Sequence, residues 1–404
     1  MSSVADHLAA VRSLLAHLAG RESTSASGPE IGRVLARDVV SPINHPPFDN
    51  SQMDGYAVRA ADVVAGARMP VAAPIAAGQA TGTLAPGSAA PIMTGAPIPR
   101  GADAVIPIER ATPDSFGAET VSFVEAPEVG AFVRRRGSDL EAGAPVLSAG
   151  ALLTAARWGM LAASGVPLVH LIPRVRVLVI SSGDELQEPG GELTDGRIFD
   201  ANSVAMAVAV QEAGGVVTAA LRATDDAAEL IRLLASHAEE ADLVLTTGGV
   251  SRGAYEVVRD VFEPAGVAFG SVAMQPGGPQ GLGLARITDA AGATFERPVV
   301  AFPGNPVSAL VSFEMFLRPV LRELHGLPRR RAPVVAPLAE PLDSPTNKHQ
   351  VRRGILRPDG RVELVGGASS HLLHSYATST HLIHVPLGVS RLESGDNVEV
   401  WSIE

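Results

Sequence analysis

The chain has no cysteine and a single lysine, Lys348, among its 404 residues. The first absence excludes disulfides, thiolate zinc sites and cysteine nucleophiles, and it fits a reducing, cytoplasmic setting. The second means that fixed positive charge in a site is expected from arginine or from backbone N–H groups. No long apolar run opens the chain, so its N-terminus reads as neither a signal peptide nor a membrane span. A Walker-type phosphate loop is also missing. What remains is a chain with 46% hydrophobic and 19% charged residues and a net charge of −11. That composition describes a large soluble core and argues against general nucleic-acid binding.

The length calls for two to four domains. Val4, Leu8, Val11, Leu14, Leu15 and Leu18 form one helical stripe that Gly20 can stop. EIGRVLARDVV (Glu30 to Val40) reads as a short helix followed by an extended segment. From residue 45 to 139 proline and glycine are dense and apolar runs are short, which reads as compact β structure. LLTAARWGMLAAS then returns to a helical texture. These shifts give a linker domain (1–44 and 140–172), an inserted β-rich domain (45–139), a doubly wound α/β domain (173–328) and a C-terminal β-barrel or sandwich domain (329–404). The fold class is therefore multidomain α/β and β.

The doubly wound segment carries three apolar strands, each ending in a small Gly-containing turn: VRVLVISSGDEL, ADLVLTTGGVSRG and VVAFPGNPVSAL. In an open parallel sheet ligands sit beyond the carboxyl ends of the strands, and exposed N–H groups at helix starts favour phosphate there. Asp184-Glu185 can hold a divalent cation or act as acid and base, although Asp184 is equally able to cap a helix. Asn202 reads as a helix cap, and Asp225-Asp226 as the start of the next helix. In PPFDNSQMDGYAVR, Asp54-Gly55 forms a sharp turn, so Asp54 is either a turn closer or a functional acid. His371, His374, His381 and His384 are read in strands, where residues three apart face opposite sides. They therefore read as exposed or pH-sensitive groups rather than as a metal quartet.

Taken in order and spacing, PPFDNSQMDGYAVR, IMTGAPIPRGADAVIPIE, SSGDEL with PGGELTDGRIFDAN, TTGGVSRG and FPGNPVSALVSF resemble the molybdopterin molybdenumtransferase (MoeA) family, relatives of the gephyrin E domain. The resemblance implies an elongated four-domain homodimer whose third domain is similar to molybdopterin adenylyltransferases. The implied reaction inserts molybdate into adenylylated molybdopterin and releases AMP with the help of Mg²⁺. It implies Asp54, Asp139, Asp184 and Glu185 as catalytic residues and Asp225 and Glu256 as cation ligands, with Glu256 standing where the family often has Asp. It places substrate-binding residues at Thr94, Gly95, Ser182, Gly183, Thr247, Gly248, Gly249, Ser251, Arg252, Pro276, Gly277, Pro303, Gly304, Asn305, Pro306 and Ser308. The adenylyltransferase that supplies the substrate is an implied partner, and Asp54 is expected to enter the site from across the dimer. Ser271, Gln275 and Gly278 stand where the family has lysines, and Arg252 is expected to restore part of that charge. Two rival functions are a molybdopterin adenylyltransferase and a non-catalytic scaffold, the latter favoured by the missing lysines.

Overall fold

The computed structural model describes residues 1–21, 24–78, 82–251, 256–329 and 331–403. They divide into two compact units, one comprising 1–24, 32–34 and 172–404, the other 25–31 and 35–171.

The first unit is built on a six-stranded mixed sheet. Its opening helix α1 (Val4–Leu15) is capped by Ser3, whose side chain accepts the Asp6 N–H. The longer strands between residues 173 and 302, with the short β5, are β1 (Arg176–Ser182), β2 (Val216–Ala223), β3 (Leu243–Thr247), β4 (Val267–Ser271), β5 (Met274–Gln275), β6 (Pro279–Thr288) and β7 (Thr294–Phe302). Strand order in the sheet is β2-β1-β3-β7-β6-β4, with the first four parallel. An antiparallel hairpin, β6 and β7, then carries β4 as the edge. Helices α2 (Asn202–Glu212), α3 (Ala227–His237), α4 (Val257–Phe262), α5 (Pro306–Ser312) and α6 (Arg318–Leu324) cover the faces. A π-helical segment, Phe313–Leu317, joins α5 to α6.

The near-continuous apolar strands are explained by burial on both faces. Val177 and Val179 join a core with Met206, Val210 and Phe316, into which α1 inserts Val11 and Leu15. Leu178 and Ile180 point the other way, into a core with Leu230, Leu234 and Phe262. The opening helix thus packs with the doubly wound sheet, whereas the sequence reading grouped it with the linker segments.

The C-terminal part is a sheet of β8 (Pro333–Pro337), β9 (His349–Leu356), β10 (Val362–Leu364), β11 (His381–Val385) and β12 (Asn397–Ser402). It closes on itself at one point: Leu338 bridges Val362, and the Ala339 N–H reaches the Val362 carbonyl at 2.9 Å. Strand β5, although it follows the doubly wound strands in sequence, belongs here by pairing in parallel with β9.

In the second unit two three-stranded sheets enclose Tyr56, Val58, Val121 and Phe123. A separate core of Leu35, Leu153, Leu161 and Leu171 includes the helix Ala155–Ala163, which Thr154 caps. The short helix expected at the start of Glu30–Val40 does not form, whereas the extended segment expected after it does. The Leu35 and Ala36 N–H groups bond to Ala151 and His170 carbonyls, and Val39–Val40 pair with Pro145–Leu147. Tertiary pairing and β-branched side chains override the local helical pattern. The expected strand around His371 and His374 is also absent, because His374 lies in a short helix, Leu373–Ala377, and His371 in the loop before it.

Candidate active site

A cleft of about 1130 Å³ opens beyond the carboxyl ends of the parallel strands. Its first wall is acidic. Glu185 follows β1, Asp225 follows β2, and Glu256 immediately precedes α4. Burial, followed by the charges of Asp184, Glu185 and Glu256, raises the Asp225 carboxyl above its ordinary pKa. Asp184 does not line the cleft; its Oδ1 accepts the Asp225 N–H at 3.0 Å and so fixes the neighbouring acid. Glu256 accepts hydrogen bonds from the Ser251 N–H and hydroxyl, bracing the loop that holds Gly248 and Gly249.

The floor is backbone. Gly248 has φ +95°, and a Cβ there would stand 2.5 Å from the Ser182 carbonyl oxygen, so the loops after β1 and β3 approach closely because no side chain intervenes. Ser182 donates its hydroxyl to the Thr247 carbonyl at 3.4 Å. Thr247 is buried beneath this floor rather than among its lining residues. Pro303, Gly304 and Asn305 follow β7, and Pro306 occupies the first turn of α5, where its missing N–H costs no hydrogen bond. Asn202 does not cap α2 as the sequence suggested. Its amide donates to the Gly304 carbonyl at 2.7 Å, while Asp200 accepts the Asn202 and Ser203 N–H groups and does the capping.

The opposite wall is neutral and cationic. Ser271, Gln275, Pro276, Gly277 and Gly278 line it, together with Ser308 from α5. Gln280 donates to the Gly277 carbonyl at 2.7 Å and to the Ser312 hydroxyl at 2.8 Å, fixing this loop from beneath. Pairing of β5 with β9 sets Met274 opposite His349 and Gln275 opposite Gln350, whose amide donates to the Gln275 side chain at 2.9 Å. The residue preceding that register is Lys348, which lines the cleft. The expectation that fixed charge must come from arginine or backbone is therefore corrected. A lysine is there, delivered by a neighbouring strand beside the loop that lacks its own. Arg252, the expected source of charge, lies outside the described residues.

Ala368 to His371 complete this wall. The Ser370 carbonyl accepts the Val307 N–H in the first turn of α5 at 3.1 Å. Arg353, fully buried, donates to the Gly367 and Ser369 carbonyls, and Arg352 donates to that of Gly366. The sequence singles out Lys348 as the solitary lysine and His371 as an exposed or pH-sensitive group, but assigns neither of them, nor Ser369, to the site.

Four other predicted residues lie in the second unit. Asp54 Oδ1 accepts both the N–H and the hydroxyl of Thr94 at 2.7 Å, and these bonds hold its carboxyl below the ordinary range. Gly95 follows with φ +80°, its N–H on the Ser51 carbonyl. Asp139 is largely exposed, 3.8 Å from the His45 ring. Asp54 and Thr94 are thus brought together, and Asp139 has a different partner.

Among the described residues no three His, Asp or Glu side chains converge as a preformed metal site. No helix among them is long and apolar enough to cross a membrane.

Comparison with known proteins accounts for most of the chain. Residues 2–165 match the MoeA N-terminal region (domains I and II), 178–323 a probable molybdopterin binding domain, and 335–403 the MoeA C-terminal region (domain IV). Molybdopterin molybdenumtransferase 2 of Mycobacterium tuberculosis is 44% identical, with both chains covered in full. Molybdopterin molybdenumtransferase of Haemophilus influenzae is 34% identical over 91% of this chain and 90% of its own length. Among solved structures, a molybdopterin biosynthesis MoeA protein from Pyrococcus horikoshii matches with a TM-score of 0.78 and 29% identity, covering 100% of this chain and 99% of its own.

Proposed function

The chain belongs to the MoeA family of molybdopterin molybdenumtransferases, and we propose that its large cleft is where adenylylated molybdopterin takes up molybdate and AMP is released. The observation that carries this reading is the polarity of the cleft. Carboxylates follow β1, β2 and β3, glycine backbone and hydroxyls run along the whole cleft, and Lys348 stands beside β9 next to the uncharged loop that follows β4. A ligand with a cation-bridged phosphate at one end and an oxyanion at the other fits that division.

Mg²⁺ suits the acidic end. Burial first and like charges second raise Asp225, a divalent cation relieves the like charges, and Asp225 and Glu256 are its ligands in this reading. Mg²⁺ commonly takes one or two carboxylates and completes its shell with water and phosphate oxygens, so a scattered set of acids is compatible with it. When bound, the ion would neutralise charge on the phosphoanhydride as it breaks. Glu185 serves as acid and base there, and Asp184 positions Asp225.

Lys348 answers the feature that favoured a scaffold, since the anion end keeps one ammonium. A homodimer sharing its sites, with Asp54, Thr94 and Asp139 supplied by the partner, is the assembly we propose. It is supported by α2, which is apolar on every side yet leaves Val204 and Val208, one turn apart, about half exposed. We place the protein in the cytoplasm, receiving its substrate from a molybdopterin adenylyltransferase.

The test is AMP release from adenylylated molybdopterin. It is expected to require both molybdate and Mg²⁺. Release indifferent to molybdate would sink the insertion reading, and no release under any condition would favour the scaffold.

A further inference from the structure

His371 stands on the anion wall of the cleft with its Nδ1 2.7 Å from the Ser369 hydroxyl. A hydroxyl both donates and accepts, so it serves Nδ1 whether the ring is neutral or protonated. The buried histidines His325 and His384 of this unit are held differently. His325 accepts the Val175 N–H on Nε2 at 2.9 Å and faces the Ala213 carbonyl with Nδ1 at 3.0 Å, which locks one neutral form. His384 is buried against His349 and Trp401. His371 is exposed, and its loop is fixed by Arg353 and by the Ser370–Val307 bond. With Nδ1 engaged, a proton exchanged with a ligand passes through Nε2.

The other titratable groups facing the cleft are Glu185, Asp200, Asp225, Glu256 and Lys348. Asp200 is committed to two backbone N–H groups. The remaining acids follow β1, β2 and β3 or precede α4, at the acidic end. Lys348 shares the wall with His371, but an ammonium has no lone pair with which to take a proton from sulfur. An imidazole can both accept and release a proton through one ring nitrogen, as a proton carrier must.

Resting on the insertion reading above, we propose that His371, with Ser369 as its hydrogen-bond partner, is the proton carrier for molybdate insertion. The step must move protons. Two S–H bonds of the dithiol break, two S–Mo bonds form, and one Mo–O bond breaks, its oxygen leaving as water with both protons. Written out, R(SH)₂ + MoO₄²⁻ gives R(S₂)MoO₃²⁻ + H₂O. Charge is conserved, molybdenum stays hexavalent, and no oxidant or reductant is needed. His371 takes each proton from sulfur and returns it to the departing oxygen, ending in its starting state.

The experiment compares wild type, His371→Gln, His371→Ala and Ser369→Ala as full-length protein, measuring molybdenum insertion at saturating adenylylated molybdopterin across pH. His371→Gln is expected to lower kcat by about 10²–10⁴-fold, the usual cost of losing a general acid or base. The molybdate KM should stay within about twofold, and the histidine limb of the pH profile should vanish. Added imidazole should partly rescue His371→Ala, and Ser369→Ala should displace the limb. An unchanged kcat and pH profile in His371→Gln would overturn the proposal, as would a raised molybdate KM with kcat retained. Wild type that never incorporates molybdenum would overturn both this proposal and the functional reading beneath it, whereas failure of the variants' predictions alone leaves that reading standing.

Discussion

Lys348 is the residue on which the anion end of the cleft depends. One hydrogen bond to a charged group contributes about 1.5–3 kcal/mol, so Lys348→Ala should weaken molybdate binding by roughly 10- to 100-fold. Lys348→Arg should retain most of it. Molybdate titration of the two variants checks this, and an unchanged Lys348→Ala curve would leave the wall to backbone and hydroxyls. Glu185 is the matching residue at the other end. Exposed and unneeded for packing, it should tolerate Glu185→Gln with little change in melting temperature while AMP release falls about 10²–10⁴-fold. Near-normal turnover would reduce it to a structural acid. The two residues differed in legibility for a physical reason. Glu185 lies a few positions past an apolar strand, where strand-end loops carry ligand sites, so local sequence points to it. Lys348 reaches the same cleft through pairing of β5 with β9, which no local pattern encodes.

At the scale of elements, the strands with continuous apolar character and the helices with clear stops were readable. The segments governed by distant pairing were not. Gly214, with φ +91°, ends α2, and Asp226 caps α3 through the Ala228 N–H, at the helix start that Asp225-Asp226 announce. VAFGSVAM reads as one strand yet divides into β4 and β5 in two different sheets. The long β6–β7 hairpin, which turns a parallel sheet into a mixed one, follows from pairing rather than from periodicity. Where α2 and α6 end, the buried His325 ties the Ala213 carbonyl to the start of β1. Burial lowers its pKa from 6.5 to about 4, so the unfolded chain takes up the proton first. Its contribution is complete above about pH 6.5 and is lost as pH falls toward 4, a change of about 3 kcal/mol. Urea midpoints at pH 7 and pH 4.5 should therefore diverge less for His325→Gln than for wild type. Equal divergence would move the acid sensitivity to other groups, such as the buried His7.

For the whole molecule, the proposed shared-site homodimer makes a claim about which chain supplies Asp54. The acids, glycine loops, Lys348 and His371 all belong to the first compact unit, and Asp54 with Thr94 belongs to the second. Asp54 is not spent on holding its own fold. One oxygen takes both Thr94 donors, the carboxyl is nearly free of burial, and its lowered pKa keeps it ionised at neutral pH. An ionised, accessible acid held in one orientation is suited to meeting a ligand. If that ligand lies in a partner's cleft, an Asp54→Ala protomer retains an intact cleft and a Glu185→Ala protomer retains an intact Asp54. Each homodimer would then be inactive at both sites. A mixed dimer would contain one site with both defects and one with neither, so it should recover roughly half of the wild-type turnover per dimer. Separately tagged protomers, co-expressed and purified through both tags, make the measurement. Activity in that mixed dimer no greater than in either parent would mean that each chain supplies its own Asp54, and the shared-site assembly would fall.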